Sequence, residues 1–594
     1  MVIGVEPFFS NYVLYKSRRV NVILFHLYGY GKGYRYAIIA EEFLIWALAI
    51  LYDAKDEIME EIQPTKQMFK GALLLTAAGL ISKILSAGYR IPLQNITGDV
   101  GFYIYQQIYP FLGMAFMLSL YGFPAAISKL VAEERERGFP LSFRSFYGPI
   151  ISLLVTINLL LFGALFALAP QIAMAMGDSR LTDPLRIAAV PFLFIPFSSI
   201  GRGVFQGLND MKPTAVSQVV EQVVRVTVIL VVAIVLVNQG RNLYEIGSGT
   251  AAGSLMGACA AVLVLSFLFI RERPWQMPQS DASVPWRKYI RTILLYGMFI
   301  CLNYMMFLLI QFADAFTLVP NLLDYGMTRQ QAMEWKGVFD RGQPLVQLGT
   351  VLGSSLALAL VPTVTKQQLQ ERPGELSDHV KSAWNFSLLI AAGAAVGLIT
   401  IFPYANILLF EDTAGTGSLQ ILALSILFTS LALTLSSILQ GLGDIRLTAG
   451  IVLLGVACKW LLNELLVPMW GIGGSAVATV LAVSIILLLN FFQLKRRLPC
   501  VRLLHFRWSA LGISLVGMVL FLYGLDRSLG KIILGGPRID YVAYTLIACL
   551  GGAAIYIFLL IRLHAFNEKE LEALPLGRYL IGLNKGGNKH GKQR

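Results

Sequence analysis

Six ionisable residues stand inside or at the edge of long apolar runs of this chain: Lys83, Arg90, Glu221, Arg225, Asp314 and Lys459. A charge at the middle of a bilayer costs roughly 2.5–3.5 kcal/mol on insertion scales, so such groups normally face a polar cavity or a partner. Their spacing groups them. Lys83 and Arg90 are seven apart, close to two helical turns, and share a face. Glu221 and Arg225 are four apart and placed to pair. Asn303 and Asp314 are eleven apart, close to three turns, with Gln311 one turn from Asp314. Lys459 stands with Asn463 and Glu464, and Gln106 and Gln107 lie near the outer end of another run. The set is rich in cations. Arg and Lys can neutralise phosphate as it leaves water, so a cationic interior suits an anionic substrate. Asp314 would balance that charge or take a coupling H⁺ or Na⁺. The plainer alternatives are snorkelling for Lys83 and Arg90 and a structural ion pair for Glu221 with Arg225.

The rest of the chain fits a lipid setting. Of 594 residues, 56% are apolar and 14% charged, where a soluble domain carries roughly 25% charged. Mean hydropathy is +0.66. The net charge of +13 belongs in cytoplasmic loops and tails, against anionic lipid, because no basic folded module for nucleic acid is present. Cys259, Cys301, Cys458, Cys500 and Cys549 are scattered and suggest neither disulfides nor a metal site. No GxxxxGK[ST] loop, metal-ligand spacing or Ser/His/Asp grouping is present, so neither enzyme chemistry nor a cofactor is expected. Glu334 with Asp340 is the nearest thing to the paired loop acids of a membrane glycosyltransferase.

A crossing helix needs about 20 mostly apolar residues. Such runs fall at 69–89, 102–123, 147–169, 185–204, 213–237, 248–270, 291–313, 345–363, 383–403, 418–438, 447–468, 473–493, 508–525 and 541–562. The expected fold is an all-α polytopic membrane protein of about fourteen helices. With residues before 69 inside, the inside loops hold 20 Lys and Arg and the outside loops 8, which puts both termini in the cytoplasm. Residues 1–65 form an extension. Its apolar stretch 37–52 is broken by Glu41 and Glu42; it is either an interfacial helix or part of a dispensable segment, with translation beginning near Met59. Residues 566–594 form a basic cytoplasmic tail.

The chain also repeats. Residues 206–215 (QGLNDMKPTA) and 440–449 (QGLGDIRLTA) match at six of ten positions across an offset of 234, with Gln206 and Asp210 answering Gln440 and Asp444. The same offset carries Arg225 onto Lys459. A weaker echo joins 123–133 to 361–370, each with a proline and then a lysine. The chain therefore divides into a first half at 66–272, a second half at 273–495 and two further helices at 496–565. Parallel halves suit an alternating-access transporter with its site between them.

Residues 71–133 and 338–366 carry a resemblance, with SKILSAGYRIPLQ (82–94), GFYIYQQIYP (101–110) and DRGQPL (340–345) as its sharpest motifs. The last contains Asp340 and Arg341. Over roughly 66–565 the chain resembles the stage V sporulation protein B type of polysaccharide transporter. That type belongs to the multidrug/oligosaccharidyl-lipid/polysaccharide exporter superfamily, with the lipid II flippase and the multidrug and toxin extrusion antiporters. The resemblance implies fourteen helices in two six-helix lobes plus two, and alternating access without ATP. It also implies an undecaprenyl-linked oligosaccharide or peptidoglycan precursor as cargo, carried across the cell membrane. Basic residues of the first helix then line the cavity, the region of Lys83 and Arg90, with Arg225 and Lys459 joining them. Helices thirteen and fourteen become candidates for a lipid-tail groove. Two other classes compete: a cation-coupled multidrug antiporter, and a non-transporting scaffold for cell-wall or spore assembly proteins.

Overall fold

The computed structural model describes residues 12–17, 20–25, 64–137, 141–274, 284–360, 373–499, 501, 503, 506–530 and 538–565. The chain forms two units, Met1–Glu61 and Ile62–Arg594. In the first, β1 (Tyr12–Ser17) and β2 (Val20–Phe25) make an antiparallel hairpin, with Tyr12 opposite Phe25 and Ser17 opposite Val20. The apolar stretch 37–52, the start near Met59 and the tail 566–594 lie outside the described residues.

The described residues of the second unit are helices and their turns. Helix α1 (Pro64–Gly88) runs almost straight into α2 (Arg90–Met117), because Tyr89 between them keeps helical angles (φ −66°, ψ −21°). The real break is Gly98, at φ 69° and ψ −179°, a backbone essentially only glycine adopts. Residues 91–97, expected in an outside loop, therefore extend the first helix. The second crossing continues through a wide turn at Leu118–Gly122 into α3 (Phe123–Glu136), so part of the stretch between the runs 102–123 and 147–169 is also helix.

The next crossings are α4 (Gly148–Ala167), then α5 (Ala169–Ala175), α6 (Thr182–Ala189) and α7 (Ile195–Gly207), then α8 (Lys212–Asn238) and α9 (Leu243–Glu272). The seventh is a bent rod of α10 (Trp286–Arg291), α11 (Met298–Tyr304) and α12 (Met306–Asp324). The eighth joins α13 (Arg329–Asp340) to α14 (Gly342–Leu360). The residues between the runs 291–313 and 345–363 are thus mostly helix; a capping box at Thr328 and Gln331 starts α13. There follow α15 (Pro373–Phe410), α16 (Thr416–Ala423), α17 (Ser425–Gly441), α18 (Ile445–Trp470), α19 (Ile472–Arg497), α20 (Trp508–Leu525) and α21 (Arg538–Arg562).

Twelve helical stretches among the described residues are long and apolar enough to cross a membrane. One of them, Leu74–Glu136, has 63 residues. At 1.5 Å per residue that is ~95 Å, far more than a ~30 Å hydrocarbon core, so it supplies two crossings. The α13–α14 rod brings the total to about fourteen. Leu160, Leu263, Ile270, Leu520 and Leu550 point outward, 65–70% exposed, where lipid tails would meet them.

The internal repeat reappears as packing. Helix α1 packs on α8 as α12 packs on α18; α8 on α9 as α18 on α19; α3 on α7 as α14 on α17. The last pair, α20 and α21, packs on α15, where Tyr556 donates to the Leu389 carbonyl at 2.7 Å.

Candidate functional site

Arg90 sits where the two sets of six crossings meet. It is fully buried, and its guanidinium carbon lies 3.9 Å from the centre of the Tyr109 ring. Tyr89 and Tyr105 stand beside it, their hydroxyls 2.7 Å apart. None of the three guanidinium nitrogens meets a hydrogen-bond acceptor among the described residues. The aromatic face stabilises the positive charge but leaves the N–H fork open. An acceptor that brought two oxygens to that fork would relieve a costly desolvation. Lys83, two turns earlier on the same continuous helix, is half-buried. Gln107 reaches across the seam and donates to the Ala315 carbonyl at 3.0 Å; Gln106 is buried beside it.

The second group lies inside the first half. Glu221 on α8 accepts from Arg225 at 2.6 Å, as the i,i+4 spacing predicts. It also accepts from Arg202 on α7 at 2.7 Å. Arg202 further donates to Ser119, at the carbonyl and the hydroxyl, and to the Ser217 hydroxyl, all at 3.1 Å. Arg225 donates to Gln222 and lies over the Phe116 ring at 4.6 Å. The triad carries two cations on one carboxylate. It borders a small pocket lined by Phe116, Ser119, Pro191, Ser198, Glu221 and Arg225. Sequence reasoning missed Arg202 as a site residue: it lies near the end of the run 185–204 and counts there among the inside-loop cations. The helix in fact runs on to Gly207, and Arg202 is completely buried. The available signal was its place in IGRGVFQG, where small and apolar neighbours continue the run.

The third group lies inside the second half. Lys459 on α18 is fully buried and 2.7 Å from Asp314 of α12. Asn463 and Ser475 complete its surroundings. Nearby on α13, Lys336 and Asp340 pair at 2.5 Å, both buried. Asp340 lies within electrostatic range of both Asp314 and Arg90. Glu334, on the exposed face of α13, accepts instead from Gln330. The pair of acids suggested by the sequence is therefore not assembled. Lys459, expected beside Arg90 and Arg225, is enclosed within its own half. The six candidate residues form three separate groups.

Ties across the seam hold both ends. At one end Arg341, between α13 and α14, makes two forks. It meets Asp99 of α2 at 2.8 and 2.5 Å and Asp412 at 2.6 and 2.9 Å. Asn95 donates to the Leu409 carbonyl at 2.7 Å, and Arg329 to the Gly177 carbonyl at 2.9 Å. Here α13 comes so close to α2 that a Cβ at Gly337 would fall 2.2 Å from the Asp99 carbonyl oxygen. At the other end Lys288 of α10 meets Glu134 at 2.7 Å and Glu133 at 3.0 Å, and Tyr121 stacks on Tyr304 at 4.3 Å.

The repeated motif forms matching elbows. Each copy ends one helix, turns through a left-handed residue (Asn209, φ 64°; Gly443, φ 94°), and starts the next. Asp210 accepts from the Lys212 backbone N–H at 3.1 Å, and Gln206 donates to Thr214 at 3.2 Å. Asp444 takes Arg497 and Gln493 of α19, while Gln440 donates to Ser436. These residues brace helix junctions.

Comparison with known proteins agrees with this architecture. The sequence profile described as "Polysaccharide biosynthesis protein" matches residues 68–368. A membrane protein of Bacillus subtilis (strain 168), YabM, is 39% identical over 516 residues, 86% of this chain and 96% of its own length. Stage V sporulation protein B of the same organism is 27% identical, covering 87% of this chain and 99% of that protein. Its lipid II flippase MurJ is 25% identical, covering 73% and 83%. A solved structure of lipid II flippase MurJ in an inward closed conformation superposes with a TM-score of 0.60 at 14% identity, covering 82% of this chain and 98% of that one.

Proposed function

The chain belongs to the polysaccharide biosynthesis protein family and is a multi-pass membrane transporter, not an enzyme; from that premise we propose that it flips a polyprenyl-pyrophosphate-linked glycan across the cell membrane. The lipid II flippase among its relatives supports a lipid-linked cargo. The observation that carries the reading is Arg90: a buried guanidinium at the seam, stacked on Tyr109, with its donors open. A pyrophosphate has the charge and the paired oxygens such a fork takes. The head group enters between the two halves and meets Arg90, with Lys83 along the same helix and Arg225 at the pocket beside it. The prenyl tail stays in lipid, against α20 and α21. The halves rock, with the Arg341 tie and the Lys288 tie opening in turn. Both termini face the cytoplasm in this scheme. An inside-negative potential, worth about 2.3 kcal/mol per charge per 100 mV, favours outward passage of the anion.

The buried carboxylates argue against a carrier of cationic drugs. Glu221, Asp314 and Asp340 each pair with a Lys or Arg already. The test is reconstitution into liposomes with a fluorescent undecaprenyl-pyrophosphate sugar and a leaflet-accessibility readout. Wild type accelerates flipping; Arg90→Gln and Arg225→Gln each reduce the rate at least tenfold while eluting as folded protein. Full rates in both variants would falsify the reading.

A further inference from the structure

The surroundings of Lys459 are those of a bound cation. Its ammonium has three N–H donors. They are directed at Asp314 Oδ1 at 2.7 Å, Asn463 Oδ1 at 2.9 Å and the Ser475 carbonyl oxygen at 2.8 Å. The Ser475 hydroxyl oxygen is a fourth neighbour at 2.9 Å and gives its own proton to Asp314. The amide of Asn463 is oriented by the same logic: its oxygen faces the ammonium, while its NH₂ donates to Asp314 at 2.8 Å and to Thr317 at 2.7 Å. Three helices, α12, α18 and α19, thus present a carboxylate, an amide oxygen, a carbonyl oxygen and a hydroxyl to one point. Every group at that point is fully or almost fully buried.

Without the ammonium, this would be an all-oxygen cage of net charge −1. Hard oxygen donors of that kind suit small hard cations, and the single carboxylate balances one positive charge. We propose that Lys459 is a tethered cation that permanently fills a monovalent-cation site, so that this transporter works without binding a free Na⁺, K⁺ or H⁺ at Asp314. The physical consequence follows from the tether. A free ion shifts a conformational equilibrium through its concentration and its different affinity for the two states. An ammonium fixed to α18 has no concentration. It can hold α12, α18 and α19 together, but it transmits no ion gradient.

The readout is binding, so it stands apart from the identity of the cargo. Purified full-length protein is assayed for radioactive sodium binding, and for melting temperature in NaCl, KCl and choline chloride at equal ionic strength. Wild type is expected to show no saturable sodium binding and the same melting temperature in all three salts. Lys459→Ala and Lys459→Met, the second keeping most of the side-chain volume, are expected to gain saturable binding. Their melting temperatures rise by a few degrees in NaCl or KCl as the ion binds the folded state. Adding Asp314→Asn to either variant removes both effects. Saturable sodium binding by wild type that Asp314→Asn abolishes overturns the proposal. So do Lys459 variants that fold but gain no ion dependence, or that stay unfolded in every salt, since a free cation then cannot replace the ammonium.

Discussion

The two halves place a cation at equivalent positions, Arg225 and Lys459, and surround it in opposite ways. In the first half the counter-charge is Glu221, on the same helix, and it is shared with Arg202. Two guanidiniums on one carboxylate leave an excess positive charge beside a small pocket. In the second half Gly455 stands where the offset would place a partner for Glu221. The counter-charge comes instead from Asp314 on another helix, and the pair is neutral and closed. The duplicated helix pair kept its fold and its cation while the anion moved. A surplus cation keeps positive charge to offer an anion; in a neutral, enclosed pair the two charges cancel and tie their helices together. The comparison sets a surplus of positive charge in the first half against a neutral, enclosed pair in the second.

The largest test of that contrast is removal of each carboxylate. Glu221→Gln strands two buried guanidiniums, whereas Asp314→Asn strands one ammonium that keeps three neutral acceptors. Breaking a buried pair costs roughly 3–5 kcal/mol, because a charge is left uncompensated. Both variants should therefore melt well below wild type in detergent, with Glu221→Gln the lower. The double variant Glu221→Gln/Arg202→Gln should recover part of the loss, since Arg225 retains contact with Gln222 and Phe116. A reversed order, or no recovery, would show that the triad is not the more heavily charged of the two.

A smaller effect is expected at the Arg341 tie, which separates a contact between halves from one within a half. Arg341→Met removes both forks and leaves Asp99 and Asp412 in contact with water, as their partial exposure allows. The expected loss of stability is about 1–2 kcal/mol, less than for the buried carboxylates. The sharper readout is geometry. A cysteine introduced at Asn95, whose amide donates to the Leu409 carbonyl at 2.7 Å across the seam, should react slowly with a water-soluble maleimide in the Arg341 background and faster in Arg341→Met. Equal rates would mean that Arg341 does not hold that end closed.

Much of this arrangement was open to sequence reasoning, and what was not has a common cause. The crossings, the repeat and the Glu221–Arg225 pair follow from hydropathy and helical spacing, both local properties. The elbow motif stood out because the turn after each helix needs a left-handed residue, supplied by Asn209 or Gly443. Three things lay beyond local pattern. Arg202 sits near the end of the run 185–204, where a charge reads as the boundary of the crossing rather than as a group inside it. Spacing alone puts Lys459 in a shared cavity, because its partner, Asp314, is 145 residues away and only tertiary packing brings them together. Arg341 was noticed only as part of a motif, because its partners Asp99 and Asp412 lie on separate helices and turns. Helix faces can be read from spacing; which faces meet cannot.

The weakest expected effect concerns pH, and it again divides the molecule by burial. Asp412 lies in the turn between α15 and α16, and its side chain is 45% exposed. Desolvation alone would raise its carboxyl, but hydrogen bonds from Arg341 and from the Ala414 N–H outweigh this and hold it below the ordinary carboxylate value. A lowered folded-state value means that the contribution to stability is complete above the unfolded value of about 3.9 and fades as pH falls through the folded one. The Arg341 tie should therefore be constant between about pH 5 and about pH 8 and weaken only in stronger acid. For so exposed a group the contribution is discounted to a fraction of about 1 kcal/mol. The difference in melting temperature between wild type and Asp412→Asn should be small and flat across the neutral range, closing below about pH 4. A difference that instead changed between about pH 6 and about pH 7 would mean that Asp412 is not the titrating partner of this tie, and that a histidine or a carboxylate raised by burial governs that end of the seam.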